Sequence, residues 1–339
     1  MNLPFLSATE FLGKRVLVRA DLDLGEGLNF PENELLRLQA LVPTLNFLAD
    51  RRCSVTIIGH RGRPDGREVP ELSLKPVETK LHELLPGVEF RVLENLRFDP
   101  REEANDEILA KMLAGTAEMY VNDAFANSHR EHCSISALPK LMKAQGKTVV
   151  LGLRFEKEIG NLSKVLVSPR KPVIFVISGL KKDKLDYIQK LANLADKVLV
   201  GGRLPEYLET ASSEESTSEV TQGGSSDGGR VVVARLNPDK EDITIRSIEN
   251  FETEITQAGT IVLAGVLGKY EEEGHRLGTE RIFAAVANSK AYKVVGGGDS
   301  VVAVYMLGLS DRFDWVSVGG GAMLEYLVAG TLPGIEVLC

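Results

Sequence analysis

Two open α/β layers, each a mostly parallel sheet flanked by helices, are the architecture this sequence predicts. Short β-branched runs alternate with runs of helical spacing, as at Arg15–Ala20, Asn33–Asp50 and Cys53–Gly59. That alternation implies parallel strands joined by right-handed crossovers. The series is interrupted by a helical run, Phe155–Val167, and restarts after Pro169 and Pro172. A chain of 339 residues has room for one large domain or two ordinary ones.

In the first half, the strand Arg15–Ala20 ends in Asp21 and Asp23, and the helix Asn33–Asp50 carries leucines at helical spacing with Arg37 among them. Cys53–Gly59 runs into the loop His60-Arg61-Gly62-Arg63-Pro64. Leu74–Leu85 is helical in pattern, Val88–Leu93 is a strand, and Glu94-Asn95-Leu96-Arg97-Phe98 is its exit. Asp106–Leu113 is a helix, Met119–Val121 a strand, Asn122–His132 a polar loop and Val149–Leu153 a further strand. Ligands of such sheets sit at the carboxyl ends of the strands. Asp21, Asp23, His60, Arg63, Arg97, His129 and Arg130 all fall just after predicted strands, so they line one edge. The arginine fork matches carboxylate and phosphate, which predicts a small ligand with several negative charges. His129 and His132 stand three apart, but no third metal ligand accompanies them.

In the second half, Lys171–Ile177 is a strand whose exit is Ser178-Gly179-Leu180-Lys181-Lys182-Asp183-Lys184, a lysine cluster suited to phosphate. Leu185–Leu194 is a helix, and Lys197–Val200 a strand ending at Gly201-Gly202. Residues Ala211–Gly229 are rich in Ser, Gly and Glu and read as a disordered surface loop. Val231–Ala234, Thr260–Ala264 and Lys293–Val295 are strands, and Gly278–Ala287 is helical. The stretch Val294–Ser300, V-V-G-G-G-D-S, reads as strand, tight turn, helix. With no side chains at Gly296, Gly297 and Gly298, amides and a helix N-terminus can meet an anion there. Asp299 can reach a divalent cation riding on that anion, and Ser300 is expected to cap the helix. A second triplet, Gly319-Gly320-Gly321, lies between Trp315–Val318 and Ala322–Val328, which suggests one shared anion site. Neither a Walker A pattern nor G-x-G-x-x-G occurs.

The formal net charge of −8 argues against general nucleic-acid binding. Three widely spaced cysteines, Cys53, Cys133 and Cys339, show neither zinc nor C-x-x-C spacing and fit a reducing compartment. The N-terminus lacks a signal pattern and no apolar run reaches about 18 residues, so a cytoplasmic protein is expected.

Taken in order, VLVRADLD, HRGRP, ENLRF, VNDAFANSHREH, FEKEI, VVGGGDS, GGGAMLEYL and LPGIEVL resemble the phosphoglycerate kinase family along nearly the whole chain. The resemblance implies two Rossmann-like domains. These are a glycerate-binding domain over 1–153 completed by the tail 329–339, a linking helix over 154–168, and a nucleotide-binding domain over 169–328. It implies magnesium-dependent phosphoryl transfer between 1,3-bisphosphoglycerate and ADP, giving 3-phosphoglycerate and ATP, with domain closure joining the two ligands. Matched by motif, Asp21, Asp23, Arg37, His60, Arg63, Arg97 and Arg130 are the substrate-binding residues. Asp23 stands where the family usually has asparagine. Lys181, Lys184, Gly201, Glu271, Gly296, Gly297, Gly298, Asp299 and Ser300 are the nucleotide residues, with Asp299 on the metal. Arg37, Lys181, Gly298 and Gly321 are the residues implied for catalysis. A monomer is expected, without membrane or nucleic-acid partners.

Four departures concern the nucleotide half. The family's G-G-A-K-x-x-D-K is one residue short between the lysines, and its W-N-G-P-x-G-V-F-E is L-A-G-V-L-G-K-Y-E over Leu263–Glu271. The segment usually reading D-I-G-P-K-T is Asp242–Ser247, D-I-T-I-R-S, and the chain is shortened around Gly202–Val231, where adenine is expected. Two functions therefore stand open: an active kinase with a divergent nucleotide pocket, or a non-catalytic homologue that keeps anion binding. A kinase acting on a different small acid is a third, resting on Asp23.

Overall fold

The computed structural model describes residues 3–28, 30–179, 182–208 and 230–338. Lys181 and the loop expected at 211–229 lie outside the described residues. The chain forms two compact units, Met1–Gly160 with Thr331–Cys339, and Asn161–Gly330.

The first unit holds strands β1 (Arg15–Arg19), β2 (Ser54–Ile58), β3 (Phe90–Val92), β4 (Met119–Asn122) and β5 (Thr148–Leu151), in the order β3-β2-β1-β4-β5. Every pairing in it is parallel. The chain leaves β1 toward one side and returns at β4 on the other, so the loops after β1 and β4 flank the switch point where such sheets bind ligands. The helix over Glu32–Asp50, one residue longer than expected, covers one face. Its Leu38, Leu41, Leu45 and Leu48 are each at most 4% exposed, and burying each such side chain is worth about 1.5–3 kcal/mol. That packing fixes the rotation of the helix and with it the direction of Arg37. At the C-terminal end, the Gly334 amide donates to Ser128 O at 2.9 Å and Lys143 Nζ to Leu338 O at 2.9 Å.

The second unit holds β6 (Val173–Ile177), β7 (Lys197–Val200), β8 (Val231–Val233), β9 (Thr260–Ala264), β10 (Tyr292–Gly296) and β11 (Trp315–Ser317), in the order β11-β10-β9-β6-β7-β8. All are parallel. β6 and β9 are buried at every position, which is why VIFVI and TIVLA read as unbroken apolar runs and not as alternating ones. The switch point here lies between β6 and β9.

The helix Leu153–Leu166 follows β5 directly. Asp123 Oδ1 receives the Arg154 amide at 2.9 Å and the Phe155 amide at 3.2 Å, the service an N-cap acceptor performs. Its Oδ2 is buried without a hydrogen bond. Burial raises the Asp123 carboxyl to about 6, and bonds from Thr44, Phe155 and Arg154 only partly oppose this. An acid raised in this way is protonated more readily folded than unfolded. Its contribution to stability is full below the unfolded value of 3.8 and is lost as pH rises through about 6. Asp123→Asn keeps an acceptor for both amides and removes the titration. Between pH 4 and pH 7 the wild type is expected to lose about 3 kcal/mol relative to this variant. Chemical denaturation of both proteins across that range measures the difference.

Candidate functional site

At the carboxyl edge of the first sheet the basic residues form a layered cluster. Arg19, the last residue of β1, is fully buried. Its Nε donates to Ser134 Oγ at 2.8 Å, its Nη1 to the Ala20 carbonyl, and its Nη2 lies 2.8 Å from His60 Nδ1. Ser134 is held in turn by the buried Glu102, which accepts its hydroxyl at 2.5 Å and its amide at 2.9 Å. A guanidinium has only donors, so His60 Nδ1 must accept and the ring proton sits on Nε2. Burial, reinforced by Arg19 and Arg97, holds the His60 imidazolium well below its ordinary range. His60 is a neutral donor of fixed tautomer. His132 is likewise pushed down to about 4, by burial and then by Arg97, Arg130 and Arg19. With both imidazoles neutral, the positive charge of the cluster lies on its guanidinium groups. The same positive charge opposes a cation at His129 and His132, and no His, Cys, Asp or Glu triplet suited to a metal occurs among the described residues.

Arg37 Nη1 donates to both Asp21 oxygens, at 3.0 and 3.2 Å, and Asp21 holds the guanidinium charge above its ordinary range. Among the described residues Nε and Nη2 have no hydrogen-bond acceptor, so the group is anchored by one nitrogen and presents the others. Asp21 is 8% exposed and is also approached by Asn127 Nδ2 at 3.4 Å. Asp23 Oδ1 accepts the Gly62 amide at 2.8 Å, and Oδ2 lies 3.8 Å from His60 Nε2. Arg97 is buried, with Nη1 on the Gly62 carbonyl at 2.8 Å and Nε 3.0 Å from Glu103, an ion pair not aligned as a hydrogen bond. Arg63 is exposed and Arg130 half-buried, and neither side chain makes a hydrogen bond or ion pair among the described residues. The structure therefore gathers Asp21, Asp23, Arg37, His60 and Arg97 at one place, with Arg130 close enough to depress His60.

Two residues that carry this cluster were absent from the expected site. Arg19 is one. The other is Arg61, fully buried, which donates to the carbonyls of Gly25 at 3.0 Å, Gly27 at 2.7 Å and Ser73 at 3.1 Å and covers the Phe30 ring at 5.0 Å. It staples the 25–30 loop to the 61–73 loop. Both sit inside the quoted motifs VLVRADLD and HRGRP, but a charge in a strand and a charge in a loop give no local sign of burial.

The second sheet carries a shelf of backbone at its carboxyl edge. Gly296 ends β10, Gly297 is the whole turn, and Gly298 is already the first residue of the helix Gly298–Met306. Gly319 likewise precedes the helix Gly320–Ala329, which contains Gly321 in its first turn. The two turns touch: a Cβ on Gly320 would lie 2.5 Å from Gly297 Cα. First-turn amides of a helix have no acceptor within it, so two adjacent N-termini offer one anion a double set of donors. Asp299 is exposed beside them on the first turn.

Ser300 departs from the expected cap. The N-cap of its helix makes no side-chain bond, and Ser300, fully buried, accepts the Gly265 amide at 2.7 Å instead. Ser300 is the third helical residue, one turn too deep to cap, so its hydroxyl ties this turn to the one after β9. Gly265 has φ +111°, and a Cβ there would meet Ser178 O at 1.8 Å. Lys184 Nζ crosses the same point, 2.5 Å from Ser178 O and 3.1 Å from Ala264 O. It places a cation over the carboxyl ends of β6 and β9. Gly201 is buried, and its amide is committed to Ile177 O at 3.1 Å, so its part in any site is steric. Glu271 is exposed next to Tyr270.

Two doubly wound α/β units, one with an arginine-rich cluster and one with a glycine-lined shelf at its strand ends, define a protein of the parallel α/β class with both features at the edge where such sheets place ligands. The family model described as phosphoglycerate kinase matches residues 6–92, 86–227 and 217–330. The phosphoglycerate kinase of Herpetosiphon aurantiacus is 31% identical over 396 aligned positions, covering 100% of this chain and 99% of the relative. That of Thermomicrobium roseum is 35% identical over 385, covering 96% of each. Among solved structures, phosphoglycerate kinase from Coxiella burnetii superposes with a TM-score of 0.77 at 26% identity, covering 99% of both chains. The Pyrococcus horikoshii enzyme does so at 0.82 and 24%, which shows the shared fold. The chain belongs to the phosphoglycerate kinase family. No helix among the described residues is long and apolar enough to cross a membrane.

Proposed function

We propose that the chain is an active phosphoglycerate kinase, moving a phosphoryl group reversibly between the carboxyl of 1,3-bisphosphoglycerate and ADP. The observation that carries this reading is the contact between the Gly297 and Gly320 turns. It sets two helix N-termini side by side next to an exposed carboxylate, an arrangement suited to polyphosphate.

In this reading Arg97, Arg130, Arg63 and neutral His60 hold the substrate's phosphate and carboxylate, with Asp21 keeping Arg37 in place. Arg37 offers its two remaining nitrogens to the transferring group, where charge spreads over three oxygens in the transition state. The shelf at 296–300 and 319–321 takes the nucleotide phosphates. Lys184 supplies positive charge at their rim, Lys181, three positions earlier in the sequence, is the other lysine of the motif, and Glu271 is the group offered to the ribose. Asp299 fits magnesium held chiefly by phosphate oxygens, since that ion commonly takes only one or two protein carboxylates and keeps ligand oxygens and water for the rest. Bound there, the ion would neutralise phosphate charge. A carboxylate acceptor has no proton to remove, so the site needs no general base.

The test is ATP formation from 1,3-bisphosphoglycerate at millimolar ADP. A folded protein that binds 3-phosphoglycerate yet turns nothing over would overturn the reading. Asp299→Ala is expected to lower kcat/KM for the magnesium nucleotide about 10²-fold. Because Asp299 is exposed and its side chain makes no hydrogen bond among the described residues, the melting temperature should hold. Magnesium titration of activity alongside thermal unfolding checks both parts.

A further inference from the structure

Around the first-unit cluster, among the described residues, buried Glu102 is held by Ser134 alone, and the half-exposed Asp23 forms no ion pair with a lysine or arginine. Arg37 is paired with Asp21, and Arg97 with Glu103. Asp23 receives the neutral Gly62 amide on Oδ1. Its Oδ2 faces His60 Nε2 at 3.8 Å, and the ring is kept uncharged by the arginine on its other nitrogen. Asp21 adds a like charge close by: the Asp23 amide lies 3.4 Å from Asp21 Oδ1. The Asp23 side chain is 39% exposed and so stays open to a ligand. The groups facing it are Asp21 on the same loop, Arg37 on the Glu32–Asp50 helix, His60, Arg61 and Gly62 after β2, and Arg97 after β3. From the loop after β4, Arg130 and His132 act on the same cluster.

We propose that Asp23 takes part in substrate binding as the neutral acid, so that each anion bound brings one proton from solvent onto Asp23 Oδ2. The inference rests on the phosphoglycerate reading of the site. A phosphate or carboxylate arriving within about 4–6 Å of an uncompensated carboxylate is repelled, and the repulsion favours protonation of that carboxylate. Once protonated, Oδ2 becomes a donor to the incoming oxygen while Oδ1 keeps the Gly62 amide. One O–H bond forms, the proton comes from water or buffer, and nothing else changes hands. Burial and Asp21 already raise the Asp23 carboxyl against the lowering by Gly62, Arg37 and Arg97, so the free protein is poised in the same direction. Linkage is reciprocal: a ligand that raises proton affinity binds more tightly when protons are abundant. Asp23 thereby makes affinity for the acid depend on pH at a site where His60 and His132, being already neutral, do not.

Calorimetric titration of the full chain with 3-phosphoglycerate provides the test. It is run from pH 5.5 to 8 in paired buffers of unlike ionisation enthalpy, for the wild type and for Asp23→Asn. Asparagine keeps the Gly62 acceptor and supplies a permanent donor. The ligand's own phosphate titrates in both experiments and cancels in the comparison. The wild type is expected to take up as much as one proton more per ligand than the variant. Its affinity relative to the variant should fall by up to about tenfold per unit rise in pH. Asp23→Ser, which also cannot ionise there, should give the proton count of Asp23→Asn. Equal proton counts and parallel affinity profiles, with both proteins binding, overturn the inference and leave the kinase reading standing. Absence of 3-phosphoglycerate binding by folded wild type at every pH overturns the kinase reading and the inference with it.

Discussion

Replacing Arg37 by alanine is expected to lower kcat about 10³-fold, the scale of removing an arginine that stabilises a transferring phosphoryl group. The residue does two separable things. Its Nη1 neutralises Asp21, and its Nε and Nη2 have no acceptor among the described residues. Alanine removes both, and leaves Asp21, 8% exposed, without its ion pair, at a cost of about 1–3 kcal/mol in stability. Arg37→Lys separates the two roles. A lysine keeps the charge beside Asp21 and much of the stability but loses the planar fork, so its kcat should stay depressed by at least about tenfold. Single-turnover rates and chemical denaturation of the three proteins decide the matter. An alanine variant that unfolds earlier but turns over normally would show Arg37 to be structural only.

Much of the fold could be read from the chain because burial on both faces of a parallel sheet leaves continuous apolar strands. VIFVI and TIVLA are of that kind, and both lie buried in the centre of the second sheet. The gathering of polar groups at one edge was legible for a related reason: Asp21 and His60 come two residues after their strands and Arg97 five after its own, at the carboxyl ends where such sheets place ligands. What the sequence concealed is how those groups are held. Arg19 reads as a charge interrupting an apolar strand, and its partner Ser134 is 115 positions away. Asp123 reads as one polar residue in a polar loop, although it receives the amides that open the Leu153–Leu166 helix. Ser300 sits in a sequence that suggests a cap, but helix phase places it at the third position, where only a neighbouring turn can use its hydroxyl. In each case the deciding partner is distant in sequence, and local propensity carries no information about it.

The glycine shelf yields a pair of substitutions that should behave oppositely. At Gly298, the first residue of its helix, an added Cβ meets nothing within 4 Å. Alanine there should leave folding intact or raise stability by about 0.4–1 kcal/mol through the unfolded chain. The methyl would nevertheless stand in the open space above the shelf, where phosphate oxygens must approach the amides. ADP affinity is expected to fall at least about tenfold, the scale of one charge-assisted hydrogen bond lost. At Gly320 the added Cβ would sit 2.5 Å from Gly297 Cα and 3.0 Å from its nitrogen. Both are backbone atoms, and Gly297 is itself held at φ +106°. The only relief is to push the Gly320–Ala329 helix away from the neighbouring turn. Gly320→Ala should therefore cost about 1–3 kcal/mol in stability and weaken ADP at least about 10²-fold. Binding of 3-phosphoglycerate, assigned to the other unit, should be unchanged in both variants. Thermal unfolding with ADP and 3-phosphoglycerate titrations reads all of this. A Gly298→Ala protein that binds ADP as tightly as the wild type would show that the shelf is a packing feature and that the nucleotide phosphates lie elsewhere.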